Sequence, residues 1–282
     1  MNKNIHTFIG CDACYEESKI VIFGAPFDST TSYRPGTRFA SSAMRQESFG
    51  IETFSFYQEK DLLDTKIFDA GDLELVFGSP DSALNDISKM TTKILSDNKL
   101  PLMIGGEHLV TYGAVRSVFE KYPNLHIVHF DAHADLRDDY LGQKFSHATV
   151  LRRCFDLVGD GKIHQFGIRS GDRDEFEFMK KHTDTTCFTL DGVEQLAQKI
   201  GDNPVYFTID LDVLDSSVFP GTGTPEAGGI SFLELLRGID EVSKLNVVGC
   251  DVNELSPIYD QTGASTALAC KILREILLKL YK

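Results

Sequence analysis

The sequence predicts an α/β fold in which helices cover both faces of a doubly wound, mainly parallel sheet of about eight strands. Two observations support this prediction. Short runs of about four to six apolar residues recur along the chain without alternating with polar ones, as in strands buried on both faces. Amphipathic segments with apolar residues three or four positions apart separate several of these runs, as in covering helices.

The predicted strands are rich in Val, Ile and Phe, which favour extended structure. No linker, tandem repeat or low-complexity segment separates them, so we expect residues 1–282 to form a single domain. In chain order the runs are KIVIFGAP (19–26), IFDAGD (67–72), LPLMIGGEH (100–108), LHIVHFDAH (125–133), KIHQFGIR (162–169), CFTL (187–190), PVYFTIDLD (204–212) and LNVVGCDVNE (245–254).

The predicted helices have recognisable starts and stops. Ser231 with Glu234 three positions later is a capping-box pattern, and Pro123 ends another helical segment. The helical segments are 80–98, 108–124, 231–244 and 262–282.

Composition and charge limit the class of function. The chain has 282 residues, 42% hydrophobic and 25% charged, with a net charge of −14, as in soluble globular proteins. A negative field repels nucleic acid and anionic lipid and attracts cationic substrates. No apolar run approaches the ~20 residues of a membrane span, and the N-terminus lacks a signal-peptide pattern. We therefore expect a cytoplasmic protein without nucleic-acid or membrane partners.

The cysteines do not indicate a disulfide framework. Most lie in apolar surroundings, which is typical of buried reduced thiols. Cys11 and Cys14 form one CxxC pair, but no second pair completes a four-thiolate zinc site. The six cysteines are at positions 11, 14, 154, 187, 250 and 270.

Carboxylates and imidazoles collect where predicted strands end. Ligands of open α/β sheets bind at the carboxyl ends of the strands. Four aspartates packed there would raise one another's pKa values unless a cation compensated their charge. Oxygen and imidazole donors favour Mn²⁺, with Fe²⁺, Co²⁺ or Zn²⁺ as competitors, and the lack of cysteine disfavours structural zinc. The candidate ligands are His108, Asp131, His133, Asp135, Asp210 and Asp212.

Spacing along the strands favours a pair of ions. Asp210 and Asp212 point the same way with Cα atoms ~6.6 Å apart, which can straddle two ions ~3.5–4 Å apart. Asp131 and Asp135 would lie ~13 Å apart in an extended chain. We therefore predict that the strand ends at Asp131 and that the following AHAD segment bends over the ions.

The chain resembles the ureohydrolase family, which includes arginase and agmatinase. The resemblance spans nearly the whole sequence and implies a three-layer α/β/α fold around an eight-stranded, mainly parallel sheet. It further implies two Mn²⁺ per subunit and a homo-oligomer, a trimer or hexamer. The motifs are GAPFDSTTSYRPGTRFA (24–40), GGEH (105–108), DAHAD (131–135), SHAT (146–149), DLDVLDSSVFPGTGTPEAGG (210–229) and DVNELSP (251–257).

The family pattern assigns roles to these positions. One ion would be held by His108, Asp131, Asp135 and Asp210, and the other by His133, Asp131, Asp210 and Asp212. The implied catalytic residues are Asp135, which takes a proton, His147, which relays a proton, and Glu254, which binds the guanidinium group. Ala134, Ala148 and Leu109 depart from the residues common in the family, and none of them removes a ligand.

The resemblance implies hydrolysis of agmatine, a small cationic guanidino substrate, to putrescine and urea. A metal-bridging hydroxide would attack the guanidinium carbon. Asp138 and Asp139 suit a cationic substrate tail, whereas Arg137 suits a carboxylate, so 4-guanidinobutyrate and arginine are alternatives. A mononuclear zinc amide hydrolase of the deacetylase type and a non-catalytic binding protein are further alternatives. GDGKI at 159–163 lacks P-loop spacing.

Overall fold

The computed structural model of the chain describes residue 1 and residues 6–282. A parallel sheet lies at its centre, with the strand order β2-β1-β3-β8-β7-β4-β5-β6. The predicted eight-stranded sheet is therefore confirmed. In chain order the strands are β1 (Ile20–Gly24), β2 (Ile67–Asp72), β3 (Leu100–Ile104), β4 (His126–Phe130), β5 (Ile163–Ile168), β6 (Asp184–Cys187), β7 (Pro204–Asp210) and β8 (Asn246–Asn253).

Helices cover both faces of the sheet and complete three layers. Two buried apolar clusters lie on opposite faces, one with α1, α6, α7 and α8 and the other with α2, α3, α4 and α5. Within residues 6–282 the helices are α1 (Ala40–Glu47), α2 (Pro80–Ser96), α3 (Val110–Lys121), α4 (Val150–Val158), α5 (Arg173–His182), α6 (Leu196–Ile200), α7 (Phe232–Ser243) and α8 (Ala264–Leu280).

Strand β1 shows why the apolar runs do not alternate with polar residues. Ile20 and Ile22 pack in the first cluster, whereas Val21 and Phe23 pack in the second. Successive side chains of a strand point to opposite faces, so a strand covered on both faces must be apolar throughout.

The strand predicted at 187–190 is wrong in position. The edge strand β6 is Asp184–Cys187, and its residues are only partly buried. Phe188 is instead exposed with a φ of 68°, and Leu190 packs in the core beyond the strand. An edge strand is covered less than a central one, so its residues need not be apolar and the apolar signal lies beyond it. Helices α1, α4, α5 and α6 were not among the predicted segments.

The cysteines are free thiols, as the sequence analysis expected. Cys11 is fully buried and Cys14 is exposed, so the two side chains of the CxxC pair have different surroundings. Burial raises the pKa of Cys11 well above its ordinary value and keeps it a thiol.

A histidine pair at the amino ends of β4 and β5 predicts acid sensitivity. His126 Nδ1 lies 3.1 Å from His164 Nε2, and His164 Nδ1 lies 3.0 Å from Asp184 Oδ2. Burial, followed by the charges of His164 and Lys162, lowers the pKa of His126 to about 4. Because the unfolded chain binds this proton near pH 6.5 and the folded chain does not, stability falls as the pH drops from about 6.5 towards 4.

Replacing His126 with glutamine should remove this part of the pH dependence. Thermal unfolding of both proteins between pH 7.5 and 5 measures it, and the wild type should lose stability relative to the variant by at most about 1.4 kcal/mol per pH unit. Parallel curves over this range would contradict the assignment.

Candidate metal centre and active site

The four central strands bring the candidate residues to one edge of the sheet. Their order is β3-β8-β7-β4, and paired positions align the ends of the strands: Ile104 with Val252 and Asn253 with Asp210. Each strand ends at a candidate residue or leads into a loop that carries one. The candidates at this edge are His108 after β3, Asp131, His133 and Asp135 after β4, Asp210 and Asp212 at the end of β7, and Glu254 after β8.

His108 lies at the centre of one group of donors. Its Nδ1 atom lies 3.1 Å from Asp131 Oδ2, 3.2 Å from Asp135 Oδ2 and 3.5 Å from Asp210 Oδ2. Neighbouring ligands of an octahedral ion with bonds of about 2.1 Å lie about 3 Å apart. The spacing of these donors therefore suits a single small cation.

A second group of donors lies beside the first. His133 Nδ1 lies 3.0 Å from Asp212 Oδ2 and 3.5 Å from Asp131 Oδ1. The two carboxylate oxygens of Asp131 thus face different groups, Oδ2 towards His108 and Oδ1 towards His133. This is the arrangement that a carboxylate bridging two neighbouring ions requires.

The chain bends after Asp131 as predicted. Strand β4 ends at Phe130, and Asp135 has a φ of 55°. The Asp135 carbonyl accepts hydrogen bonds from the backbone N–H groups of Leu151 and Arg152 at the start of α4, at 3.0 and 3.2 Å. These bonds hold Asp135 in a backbone conformation that few non-glycine residues adopt. The bend brings the carboxylates of Asp131 and Asp135 together beside His108.

A hydrogen-bond chain behind His108 fixes the tautomer of its ring. The Thr208 hydroxyl donates to Asp251 Oδ1 at 2.6 Å, so it accepts from His108 Nε2 at 2.9 Å. The proton of the neutral ring is then on Nε2, and the Nδ1 lone pair faces the carboxylates. Such outer partners orient metal-ligating histidines. Thr208 and Asp251 were not predicted as site residues because they lie within apolar strands.

His129 is a further residue that the sequence analysis missed. Its Nε2 atom lies 2.8 Å from Asp131 Oδ2, and its Nδ1 atom lies 3.0 Å from the amide nitrogen of Gln165. That amide also donates to the Ala134 carbonyl at 2.9 Å, so His129 accepts at Nδ1 and donates from Nε2 to Asp131. The alternation of His129, Asp131 and His133 was the available signal.

The protein alone opposes ionisation of Asp135 and Asp210. Burial, followed by the charge of Asp131, raises the pKa of Asp135 to about 7. Burial together with the charges of Asp212 and Asp131 raises the pKa of Asp210 well above its ordinary value. A divalent cation among these groups would reverse both effects. The donors are oxygen and imidazole nitrogen without thiolate, so they fit a divalent metal site.

Gly105 and Gly106 allow close approach of the backbone rather than a special turn. A Cβ atom on Gly105 would lie 1.8 Å from Asn253 Oδ1, and one on Gly106 would lie 2.0 Å from the Phe27 carbonyl oxygen. Neither glycine is among the residues with positive φ. The glycine pair therefore lets the loop before His108 pack against β8 and the segment after β1.

Glu254 lies beside the first group of donors. Its Oε1 atom accepts a hydrogen bond from the His108 backbone N–H at 2.8 Å, and its backbone has a φ of 65°. Burial, followed by the charge of Glu107, raises the pKa of Glu254 well above its ordinary value. A buried carboxylate of this kind gains a partner when a cation enters the cleft.

His147 lines the same cleft as Glu254. Its Nδ1 atom lies 2.9 Å from the Thr30 carbonyl oxygen, and its Nε2 atom lies 3.3 Å from the Ser32 hydroxyl. A carbonyl oxygen only accepts, so Nδ1 carries the ring proton and Nε2 is the acceptor. Burial lowers the pKa of His147 to about 4.

The cleft above the donors has a volume of about 200 Å³. Glu254 and His147 line it, together with Arg137 and Tyr140. Asp138 instead forms an ion pair with Arg153, 2.8 Å away, and does not line the cleft.

Across residues 6–282, no helix combines the length and the apolar character that a membrane span requires.

Comparisons with known proteins agree with this geometry. Residues 18–279 match the model of the arginase family. Agmatinase from Bacillus subtilis is 43% identical over 98% of this chain and 96% of its own length. Agmatinase from Bacillus cereus is 45% identical, covering 96% and 95%. A Clostridium difficile crystal structure that carries a provisional agmatinase name is 52% identical, with a TM-score of 0.93 over 95% of this chain and 99% of that one.

The sheet, the donor groups and these similarities define an amidinohydrolase, an enzyme that hydrolyses C–N bonds of linear amidines. The relatives are matched over nearly their full length. The chain belongs to the arginase family.

Proposed function

We propose that this protein hydrolyses agmatine to putrescine and urea with two Mn²⁺ per subunit. The observation that carries the proposal is the pair of donor groups sharing Asp131, with Glu254 and His147 both lining the cleft beside them. Relatives named agmatinase support the choice of substrate. When bound, a divalent ion pair lowers the pKa of water and supplies hydroxide near neutral pH.

The proposed ligands are those expected from the sequence, and the remaining groups act on the substrate. Glu254 would bind the planar guanidinium group by charge-assisted hydrogen bonds and set its orientation. Asp135 would accept a proton released during attack on the guanidinium carbon. His147 would take up that proton at Nε2, the ring atom that now lies beside the Ser32 hydroxyl, and relay it to the departing amine.

The charges around Arg137 favour a cationic substrate tail. Arg137 Nε lies 3.2 Å from Glu175 Oε2, and its Nη1 lies 3.3 Å from Asp172 Oδ2. Glu175 also accepts from the Leu136 and Asp172 backbone N–H groups, at 2.9 and 2.8 Å. Two carboxylates thus occupy the single guanidinium, so Arg137 is poorly placed to bind a substrate carboxylate.

Urea release from agmatine, arginine and 4-guanidinobutyrate by the Mn²⁺-loaded enzyme tests the proposal. We expect kcat/KM for agmatine to exceed that for the other two by at least about tenfold, or about 1.4 kcal/mol. Replacing Arg137 with glutamine should preserve or raise agmatine turnover. The proposal would be contradicted if the wild type preferred 4-guanidinobutyrate and the Arg137→Gln variant lost that activity. Arg137 would then bind the substrate carboxylate.

A further inference from the structure

The segment between β1 and α1 connects the loop of His108 to His147. Glu107, the residue before His108, is fully buried and faces this segment. Its carboxylate accepts hydrogen bonds from the Thr30 backbone N–H at 2.9 Å, from the Thr30 hydroxyl, and from the Thr31 hydroxyl at 3.0 Å. A buried carboxylate with three donors from two adjacent residues fixes that segment relative to the metal centre.

Thr30 makes two further hydrogen bonds on its opposite side, both to His147. Its hydroxyl accepts from the His147 backbone N–H at 3.1 Å, and its carbonyl accepts from His147 Nδ1 at 2.9 Å. The single hydroxyl proton goes to Glu107, because a carboxylate can only accept and the His147 N–H can only donate. Thr30 therefore bridges the two side chains with a defined direction in each bond.

We propose that Glu107 and Thr30 are positioning residues that hold His147 over the metal centre with its ring proton on Nδ1. The inference rests on the proposed hydrolysis of a guanidino compound at that centre. His147 itself begins a short 3₁₀ helix before α4, and the bridge ties it to the residue adjacent to His108. Proton transfer depends on the distance between the His147 ring and the reacting group, since an error of about 1 Å can cost about 100-fold in rate.

The charged carboxylate of Glu107 holds Thr30 and Thr31 better than a neutral side chain would. A carboxylate accepts all three hydrogen bonds, whereas the amide of glutamine would turn a donor towards one of the Thr30 donors. Hydrogen bonds to an ionised group are shorter and about twice as strong as neutral ones.

Three single variants separate positioning from packing. Thr30→Val removes the hydroxyl and keeps the shape, so we expect kcat for agmatine to fall about 10- to 100-fold with KM within about twofold. Thr30→Ser restores the hydroxyl and should stay within about threefold of wild type. Thr31→Val is the matched control: it removes a bond to Glu107 without touching His147, and it should also stay within about threefold.

Coupling between the residues provides a second measurement. If Thr30 acts through His147, adding Thr30→Val to a His147→Asn enzyme should reduce kcat by less than about twofold further, because residues that act as a unit are not additive. An equal further loss in both backgrounds would overturn the inference, because the hydroxyl would then act independently of His147.

The ring tautomer gives a readout that does not depend on turnover. In ¹⁵N-histidine spectra of the whole protein, His147 should carry its proton on Nδ1 in the wild type and in Thr31→Val. The fraction of this tautomer should fall in Thr30→Val and Glu107→Gln, where the carbonyl of residue 30 remains but is no longer held in place beside the ring. This pattern in a protein inert towards agmatine would support the positioning and contradict the proposed function. If the wild type hydrolyses agmatine but Thr30→Val changes neither the tautomer of His147 nor kcat, the positioning role is overturned and the proposed function stands.

Discussion

Replacing Asp210 with asparagine is expected to abolish turnover and metal-dependent stabilisation while leaving the metal-free fold at least as stable as wild type. Asp210 Oδ2 lies 3.5 Å from His108 Nδ1 in the first donor group. Its Oδ1 accepts from the Asp212 backbone N–H at 2.9 Å, and the asparagine oxygen can keep that bond. The variant also removes a buried carboxyl group whose ionisation is opposed by burial and by the charges of Asp212 and Asp131.

The size of the effect follows from the proposed metal chemistry. Loss of the ion pair removes the activated water, and we expect turnover to fall on the order of 10³-fold or more. A ligand at 1,000 times its Kd stabilises the folded state by about 4 kcal/mol, so the shift in melting temperature that Mn²⁺ produces in the wild type should be lost.

Asp202→Asn is the matched control for this variant. It removes the same charge from an exposed residue near the opposite, amino end of β7. Metal content, melting temperature with and without chelator, and urea release should all match the wild type. An Asp210→Asn enzyme that retains two Mn²⁺ and normal turnover would show that this carboxylate is not a ligand.

The central sheet could be predicted from the sequence because its strands are buried on both faces. The run 20–24 is apolar throughout, and 204–210 is apolar except at Thr208 and Asp210, so this pattern is local in the chain. The edge strand β6 could not be located in the same way, because its half-buried threonines resemble a loop. The apolar Leu190 packs after the strand has ended, and this displaced the prediction.

The candidate site was predictable where its residues follow strand ends in short motifs. The bend at Asp135 followed from chain length alone, since an extended segment cannot bring Asp131 and Asp135 to one group of donors. The supporting contacts were not predictable, because they join distant parts of the chain. Thr30 and Glu107 are 77 residues apart, and His108 and Thr208 are 100 apart. No local spacing indicates such pairs.

Replacing Glu254 with glutamine is expected to abolish substrate binding and turnover without loss of metal. The amide oxygen of glutamine can still accept from the His108 backbone N–H, so the loop after β8 should keep its conformation. The carboxylate that would pair with the guanidinium is lost. Two charge-assisted hydrogen bonds of about 1.5–3 kcal/mol each correspond to a fall in kcat/KM of about 10²- to 10⁴-fold.

Metal analysis and steady-state kinetics on the same preparation distinguish Glu254 from the ligands. The variant should bind as much Mn²⁺ as the wild type, because Glu254 is not among the donor groups around Asp131. Its metal-free form should be at least as stable, since burial and the charge of Glu107 oppose ionisation of Glu254 in the empty cleft. Glu120→Gln, at an exposed position of α3, controls for the charge change. Loss of Mn²⁺ in Glu254→Gln would place Glu254 among the metal ligands, whereas normal kinetics would exclude it from guanidinium binding.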